Sequence, residues 1–350
     1  MDTYTPITTL VVGLGRSGWD IHIKEIGANP PFKVAAVVDA VEERRREAEE
    51  KYGCRAFATL EGGLKAGLAE LAVICTRSVD HCPHALAALR AGCHVVVESP
   101  GAMSLRELDA MTAAARKAKR LLTFYQTQRS EKCVQFAREV MDSGILGKVF
   151  WVRLAALRFR RRYDWQTMKR FGGGLLYNAG SEFIDVALSL LESPVKEAWG
   201  YLNHTISAGD AEDFMKLEII GKNGRLVEIE RVDGCALGKE ELLVCGTAGA
   251  MRIRGDKATI SYFDPKLAPP PKLEAGTPHD RDFFRRDRVP WREKTLAVER
   301  KEPAADSYEA LYESIRNGKR LLVTPESLRQ TMRVIDFIRK RAGRPRAKKG

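Results

Sequence analysis

The sequence predicts an α/β protein in two parts. A doubly wound parallel sheet comes first, and an α/β domain with a mostly antiparallel sheet follows. Three observations predict it: a glycine turn between a strand and a helix at residues 7–18, regular alternation of apolar runs with helical patterns up to residue 125, and period-2 alternation in the second half.

ITTLVV (7–12) is a buried strand that runs into Gly13, Gly15 and Gly18, a G-x-G-x-x-G pattern. The first glycine permits the tight turn, the second lets the backbone approach a pyrophosphate, and the third lets helix and sheet pack closely, with Arg16 and Ser17 between them in the same turn. A second strand, FKVAAVVD, ends at Asp39, 21 residues beyond Gly18, where a carboxylate accepts hydrogen bonds from the adenosine ribose hydroxyls. This is the constellation of a Rossmann dinucleotide-binding domain. A carboxylate at that point repels the 2′-phosphate of NADP, so NAD is favoured over NADP. Arg44, Arg45 and Arg46 weigh against this, but their simplest role is the solvated face of a helix rich in glutamate. The pattern continues as LAELAVICT (strand), VDHCPHALAALRAG (helix), CHVVVES (strand), SLRELDAMTAAARKAK (helix) and RLLTFYQ (strand). Alternation of this kind implies parallel strands with right-handed crossovers. Ligands bind at the carboxyl ends of such strands, which puts Thr76, Arg77, Glu98 and Ser99 near the coenzyme.

After a helix, CVQFAREVMDSG, the alternating stretches VFWVRLAAL, FMKLEIIG, RLVEIERVDG, KEELLVCGT and GAMRIRG read as antiparallel strands. The proline-bearing loop DPKLAPPPKLEAGTPHD reads as a flexible flap or a plain surface excursion, the latter being favoured, and helices over about 307–317 and 325–341 close the domain. The expected division is residues 1–125 for coenzyme binding, 126–340 for substrate binding and oligomerisation, and 341–350 for a basic tail.

The composition narrows the function classes. Net charge is +12, yet residues 1–125 carry 16 basic and 15 acidic side chains and residues 126–338 carry 35 and 31. The last twelve residues carry seven basic and no acidic ones, so more than half the excess is a tail and no specific nucleic-acid groove is expected. The seven cysteines are odd in number and contain no C-x-x-C pair, which argues against disulfides and a zinc knuckle; HCPH (81–84) lacks ligand spacing, so no metal is expected. The longest apolar runs are strand-length and the N-terminus lacks a signal-peptide layout, giving the expectation of a cytoplasmic protein without a membrane span.

VVGLGRSG, AVICTRSVDHCPHALAALRAGCHVVVESP, MDSGILGKVFWVRL and FGGGLLYNAGSEFIDVAL, in this order and spacing, resemble the glucose–fructose oxidoreductase/inositol dehydrogenase (Gfo/Idh/MocA) family over nearly the whole chain. The resemblance implies a Rossmann domain, a C-terminal α/β domain with an open, mostly antiparallel sheet, a homodimer or homotetramer, and hydride transfer between NAD(P) and a carbohydrate. It also exposes departures. Where members carry E-K-P, this chain has Glu98-Ser99-Pro100; where they carry D-x-G-x-H, it has Asn178-Ala179-Gly180-Ser181-Glu182; where they carry T-P-N, it has Thr76-Arg77-Ser78. Asp185 and His81 match the family pattern, and the latter joins the expected coenzyme-binding residues.

Asn178, Glu182 and Asp185 fall at i, i+4 and i+7, so on one continuous helix they share a face. Glu182 is the expected base in place of histidine if burial raises its pKa, with Asn178 and Ser99 beside it. On the bland reading, it caps or pairs with an arginine of RFRRRYDW (158–165), leaving a site that binds without reacting. The arginines Arg158, Arg160, Arg161 and Arg162 either meet an anionic sugar or form a charged strand edge. Arg162, Tyr163 and Trp165 are candidate substrate residues with Asp185, Trp165 being equally suited to packing. Lys169 is expected on the surface, and His22, His94, His204 and His279 in structural or exposed roles. The functional expectation is an NAD-dependent oxidoreductase of a sugar, polyol or sugar acid. Two alternatives stand beside it: a silent NAD-binding sensor or scaffold, and an enzyme that uses tightly bound NAD for elimination or hydrolysis.

Overall fold

The computed structural model describes residues 5–273, 275–276, 288–298 and 304–341. The first sheet contains β1 (Ile7–Val12), β2 (Phe32–Val38), β3 (Arg55–Phe57), β4 (Leu71–Ile74), β5 (His94–Val97) and β6 (Leu122–Phe124) in the order β3-β2-β1-β4-β5-β6. All its pairings are parallel. The central strands β1, β4 and β5 are buried on both faces, as expected where helices cover both sides; Ile7, Val11, Ala72 and Ile74 are almost inaccessible. Strand order reverses between β1 and β4, so the loops after these strands part there and leave a crevice at their carboxyl ends.

The second sheet holds β7 (Val149–Phe159), β8 (Val195–Asn203), β9 (Phe214–Gly221), β10 (Leu226–Val232), β11 (Gly234–Gly246), β12 (Gly249–Arg254), β13 (Lys257–Tyr262) and β14 (Arg292–Ala297). Their order is β14-β13-β12-β11-β7-β10-β9-β8, open at both edges. The β7–β10 pair is parallel and the remaining pairs are antiparallel. The helix Gly180–Leu191 covers one face and buries Ile184, Ala187, Leu190 and Leu191, each Leu or Ile contributing roughly 1.5–3 kcal/mol.

The last two helices link the halves. In Ala304–Asn317, Tyr308 and Leu311 enter the core of the first sheet with Ile7, Val11, Ile23 and Phe32. Pro325–Arg341 packs on β8 and on the helices Gly180–Leu191 and Leu105–Ala118; Gly200 admits it, since a Cβ there would lie 2.6 Å from Ile338.

The strands β3, β8, β13 and β14 are additions to the expected set. β14 is exposed along its length, so no burial alternation betrays it. Residues 342–350 of the basic tail, His279 and part of the proline-bearing loop lie outside the described residues. No helix among the described residues is long and apolar enough to cross a membrane.

Candidate active site

The glycine turn follows β1 directly. Gly13 has φ +94°, and a Cβ on it would lie 2.8 Å from the Cys75 carbonyl oxygen after β4. A Cβ on Gly18 would lie 1.9 Å from the Gly13 carbonyl oxygen, so these two glycines are required by the fold itself. Gly15 differs: a Cβ there would meet nothing within 4 Å. The space over Gly15 is therefore kept clear, as the approach of a pyrophosphate requires. Ser17 opens a π-helical stretch, Ser17–His22, that runs into the helix Ile23–Ala28. Asp39 accepts from the Leu14 amide through Oδ2 (2.7 Å) and from the Val41 amide through Oδ1 (2.8 Å), tying the end of β2 to the turn. Arg44 Nη1 stands 3.5 Å from the same carboxylate and Arg45 donates to the Asp39 carbonyl. The residues present thus fit an adenine dinucleotide.

The other expected coenzyme residues do varied work. Thr76 Oγ1 meets His84 Nδ1 at 3.0 Å. Arg77 is exposed and lies over the Phe171 ring, 4.3 Å from its centroid. His81 is buried with Nδ1 2.8 Å from the Pro100 carbonyl and Nε2 3.1 Å from the Thr76 carbonyl, so it braces the loops after β4 and β5 and presents neither nitrogen to a ligand. Glu98 accepts from the Ser99 amide and meets His22 Nε2 at 3.0 Å, while His22 Nδ1 meets Tyr308 Oη at 2.8 Å. Burial opposes the Glu98 charge, but the His22 hydrogen bond and charge and the Ser99 amide bring the carboxyl below its ordinary range.

On the second sheet's side, the expected continuous helix is broken. A short helix, Leu175–Asn178, ends at Ala179, and a second begins at Gly180, where a Cβ would crowd Met215 at 2.9 Å. Asn178 and Glu182 still face one cleft, but Asp185 does not join them. It is buried and bound by Arg129, whose Nε donates to Oδ2 at 2.6 Å. Burial raises the Asp185 carboxyl despite this partner. Glu182 and Asp185 still share a side, meeting the neighbouring Gln128 and Arg129 of the loop after β6, but Asp185 does not line the cleft, and its expected substrate role is corrected to that of a partner for Arg129.

The cleft has a volume of about 1170 Å³ and extends from Arg16 in the glycine turn to Asn178, Glu182 and the arginines of β7 and β10. Glu182 Oε2 accepts from Gln128 Nε2 at 2.9 Å. Its carboxyl is pushed up to about 8, first by desolvation and then by the charges of Glu98, Glu131 and Asp185. Asn178 Nδ2 donates to the Gln166 carbonyl at 3.3 Å, while its Oδ1 is buried with no hydrogen-bond partner. Ser99 Oγ lies 2.8 Å from Ser181 Oγ, joining the end of β5 to the residue before Glu182. Among candidate substrate residues, Arg162 binds Asp164 in a fork (2.9 and 2.8 Å), Tyr163 is 87% exposed at the rim, and Trp165 opens a 3₁₀ turn outside the cleft lining. Lys169 is exposed.

Gln128, Arg129 and Arg231 were not singled out from sequence. The first two follow β6, and only the fold brings them to residues more than fifty positions away. Among the described residues no His/Cys/Asp/Glu group suited to a metal is present, and none of the seven cysteines is in a disulfide.

Residues 7–126 match the model of an oxidoreductase family with an NAD-binding Rossmann fold, and residues 134–260 match the GFO/IDH/MocA C-terminal domain. The chain is 29% identical over 196 residues to D-glucoside 3-dehydrogenase of Escherichia coli, an alignment covering 55% of this chain and 56% of that one. It is 25% identical to the NADP(+)-dependent scyllo-inositol 2-dehydrogenase IolW of Bacillus subtilis, covering 53% of this chain and 51% of IolW. It thus spans about half the length of the curated relatives it matches. In fold it is similar to an NAD-binding protein from Listeria innocua, with a TM-score of 0.81, 23% identity, and coverage of 97% of this chain and 95% of the other. An NAD(P)-binding Rossmann sheet, a second mixed sheet and two matching domain models lead to one conclusion: the chain belongs to the GFO/IDH/MocA family of oxidoreductases.

Proposed function

We propose that this protein is an NAD-dependent oxidoreductase of a carbohydrate, a sugar, polyol or sugar acid, with Glu182 as its proton-handling residue. The observation that carries the reading is a single carboxyl group, facing the cleft beside the end of β5, whose pKa of about 8 lies near neutrality. Removing hydride from a carbinol carbon requires the hydroxyl proton to leave, and a base is most effective when its pKa lies near the working pH. An ordinary carboxylate is too weak. Burial and three neighbouring carboxylates make Glu182 strong enough.

NAD, when bound, supplies the hydride acceptor. The glycine turn and Asp39 would hold its adenosine and pyrophosphate portion, and the charge of Asp39 favours NAD over its 2′-phosphorylated form. Ionised Glu182 accepts the hydroxyl proton through the oxygen that Gln128 leaves free. The Asn178 amide oxygen, with no partner of its own, accepts a hydrogen bond from a second substrate hydroxyl. Ser99, engaged with Ser181, positions the helix start and carries no charge to the reacting oxygen. The carbohydrate assignment also draws on the names of the relatives, which act on a glucoside and an inositol.

The test is a panel of sugars, polyols and sugar acids offered with NAD or NADP, read as reduced-nicotinamide absorbance. Turnover of at least one member with NAD, lost in Glu182→Gln, supports the reading. Tight coenzyme binding without turnover of any member overturns it.

A further inference from the structure

The cleft holds a cationic cluster that the proposed proton transfer does not use. β7 and β10 run parallel, with Arg231 beside Ala156 and Val232 beside Leu157, so Arg158 at the end of β7 comes level with Asp233 just beyond β10. Arg158 Nε donates to Asp233 Oδ1 at 2.6 Å, and Arg160 Nη2 stands 3.5 Å from Oδ2 of the same carboxylate. Asp233 is 1% exposed. Two guanidinium groups thus share one buried charge, and Arg231 joins them as a third. Its Nε is buried with no hydrogen-bond partner, and its guanidinium lies 5.5 Å from the centre of the Phe183 ring.

Burial and the neighbouring Arg158 and Arg160 bring Arg231 down to about 10, Asp233 and Glu240 opposing them. Burial and Arg158 lower Arg160 as well. A charged strand edge built only for solubility would point into bulk water, where guanidinium groups are well solvated and repel weakly. Here Arg231 and Arg158 are half-buried, Arg160 is exposed but crowded against them, and all three line the same cleft that holds Asn178 and Glu182. An unpaired buried N–H is costly, and its geometry suits an oxyanion.

We infer that Arg158, Arg160 and Arg231 form an anion subsite that takes a carboxylate or phosphate group carried by the carbohydrate substrate. The inference rests on the proposed function, which it narrows from carbohydrates at large to acidic ones. Arg231 offers the free donor, while Arg158 and Arg160, anchored by Asp233, present the remainder of their fork. The subsite lies on the second sheet, away from the glycine turn that would take the coenzyme pyrophosphate, so the two anions do not compete.

The experiment uses the full-length protein saturated with NAD. Calorimetry measures the affinity of three ligands of similar size: a hexuronate, a hexose 6-phosphate and a neutral methyl hexoside. Absorbance reports reduced nicotinamide in parallel. One of the acidic ligands is expected to bind about tenfold or more tightly than the neutral one, and which of them does so distinguishes carboxylate from phosphate. Arg231→Gln and Arg160→Gln are expected to remove that preference while leaving NAD affinity unchanged, whereas Arg252→Gln, which changes net charge equally at an exposed site on β12, leaves the preference intact. Should either cleft variant fail to fold, inorganic phosphate displacing the acidic ligand from the unaltered protein supports the subsite. Equal affinity for acidic and neutral ligands overturns the inference, even if the neutral one is oxidised. Arginine-dependent binding of an acidic ligand without any reduced nicotinamide supports the subsite and overturns the proposed reaction instead.

Discussion

Gln128 donates from Nε2 to Glu182 Oε2 over 2.9 Å, a neutral amide holding a carboxyl that three acids surround and that the charge of Arg231 partly offsets. A donor of this kind favours the ionised form, so Gln128 works against the burial and the neighbouring charges that raise the Glu182 pKa to about 8. Removing the donor raises the pKa further. In Gln128→Leu, the pH–rate profile for substrate oxidation is expected to shift towards alkaline pH, with a rate at pH 7 lower by about tenfold. A profile unchanged from the unaltered protein contradicts this role.

The direction of the reaction follows the same group. Oxidation needs ionised Glu182, so its rate is expected to rise with pH up to about 8 and then level off. Reduction needs the protonated form and is expected to fall over the same range. Initial rates in both directions between pH 6 and 10 check the crossing; two profiles with the same slope exclude Glu182 as the shared group.

Stability carries a separate signature. The folded pKa of Glu182 is raised above the ordinary carboxylate value, so its favourable contribution is complete below about pH 4.5 and is lost as pH rises through about 8. Glu182→Gln removes this loss. Relative to the unaltered protein it is expected to gain roughly 1–2 kcal/mol at pH 8, after allowance for water in the cleft, and almost nothing at pH 4.5. Denaturant titrations at the two pH values measure the difference. A gain of equal size at both values points to packing and not to charge.

Half-buried Arg129 pairs with buried Asp185 and holds the loop after β6 against the second helix. Breaking one side leaves an uncompensated buried charge. Arg129→Met is expected to destabilise by about 3 kcal/mol, and Arg129→Met with Asp185→Asn to recover part of that loss. Additive losses in the double-mutant cycle dismiss the pair as a unit.

The glycine turn separates fold from ligand. Gly15→Ala adds a methyl group where nothing lies within 4 Å, so stability is expected to change by less than about 0.5 kcal/mol while NAD affinity falls roughly tenfold or more. Gly18→Ala drives a Cβ into the Gly13 carbonyl and is expected to cost about 3 kcal/mol in the fold itself. Thermal melts with and without NAD distinguish the two outcomes.

Much of the first sheet is legible in the chain because its signals are local. A glycine turn after a strand and a carboxylate at the end of β2 need no distant partner to be read. In the second half the exposed β14 leaves no apolar rhythm, and β8, with sequence VKEAWGYLN, buries only Ala198 and Gly200. At the site, Glu182 is legible from its place at helical spacing from Asn178. The break at Ala179, the turning of Asp185 to Arg129, and the meeting of Arg231 with Arg158 and Arg160 arise from packing between segments far apart in the chain. The helix containing Tyr308 behaves likewise: its amphipathic pattern predicts a buried face, and only the fold reveals that the face belongs to the first sheet.

The most direct measurement compares turnover by the unaltered protein, Glu182→Gln and Glu182→Asp on a carbohydrate the unaltered protein oxidises, with coenzyme affinity measured alongside. Loss of a general base costs about 10²–10⁴ in rate. Glu182→Gln is expected to lose activity on this scale and Glu182→Asp to keep part of it, both binding NAD as tightly as before. Full turnover by Glu182→Gln would contradict the assignment of proton transfer to this residue.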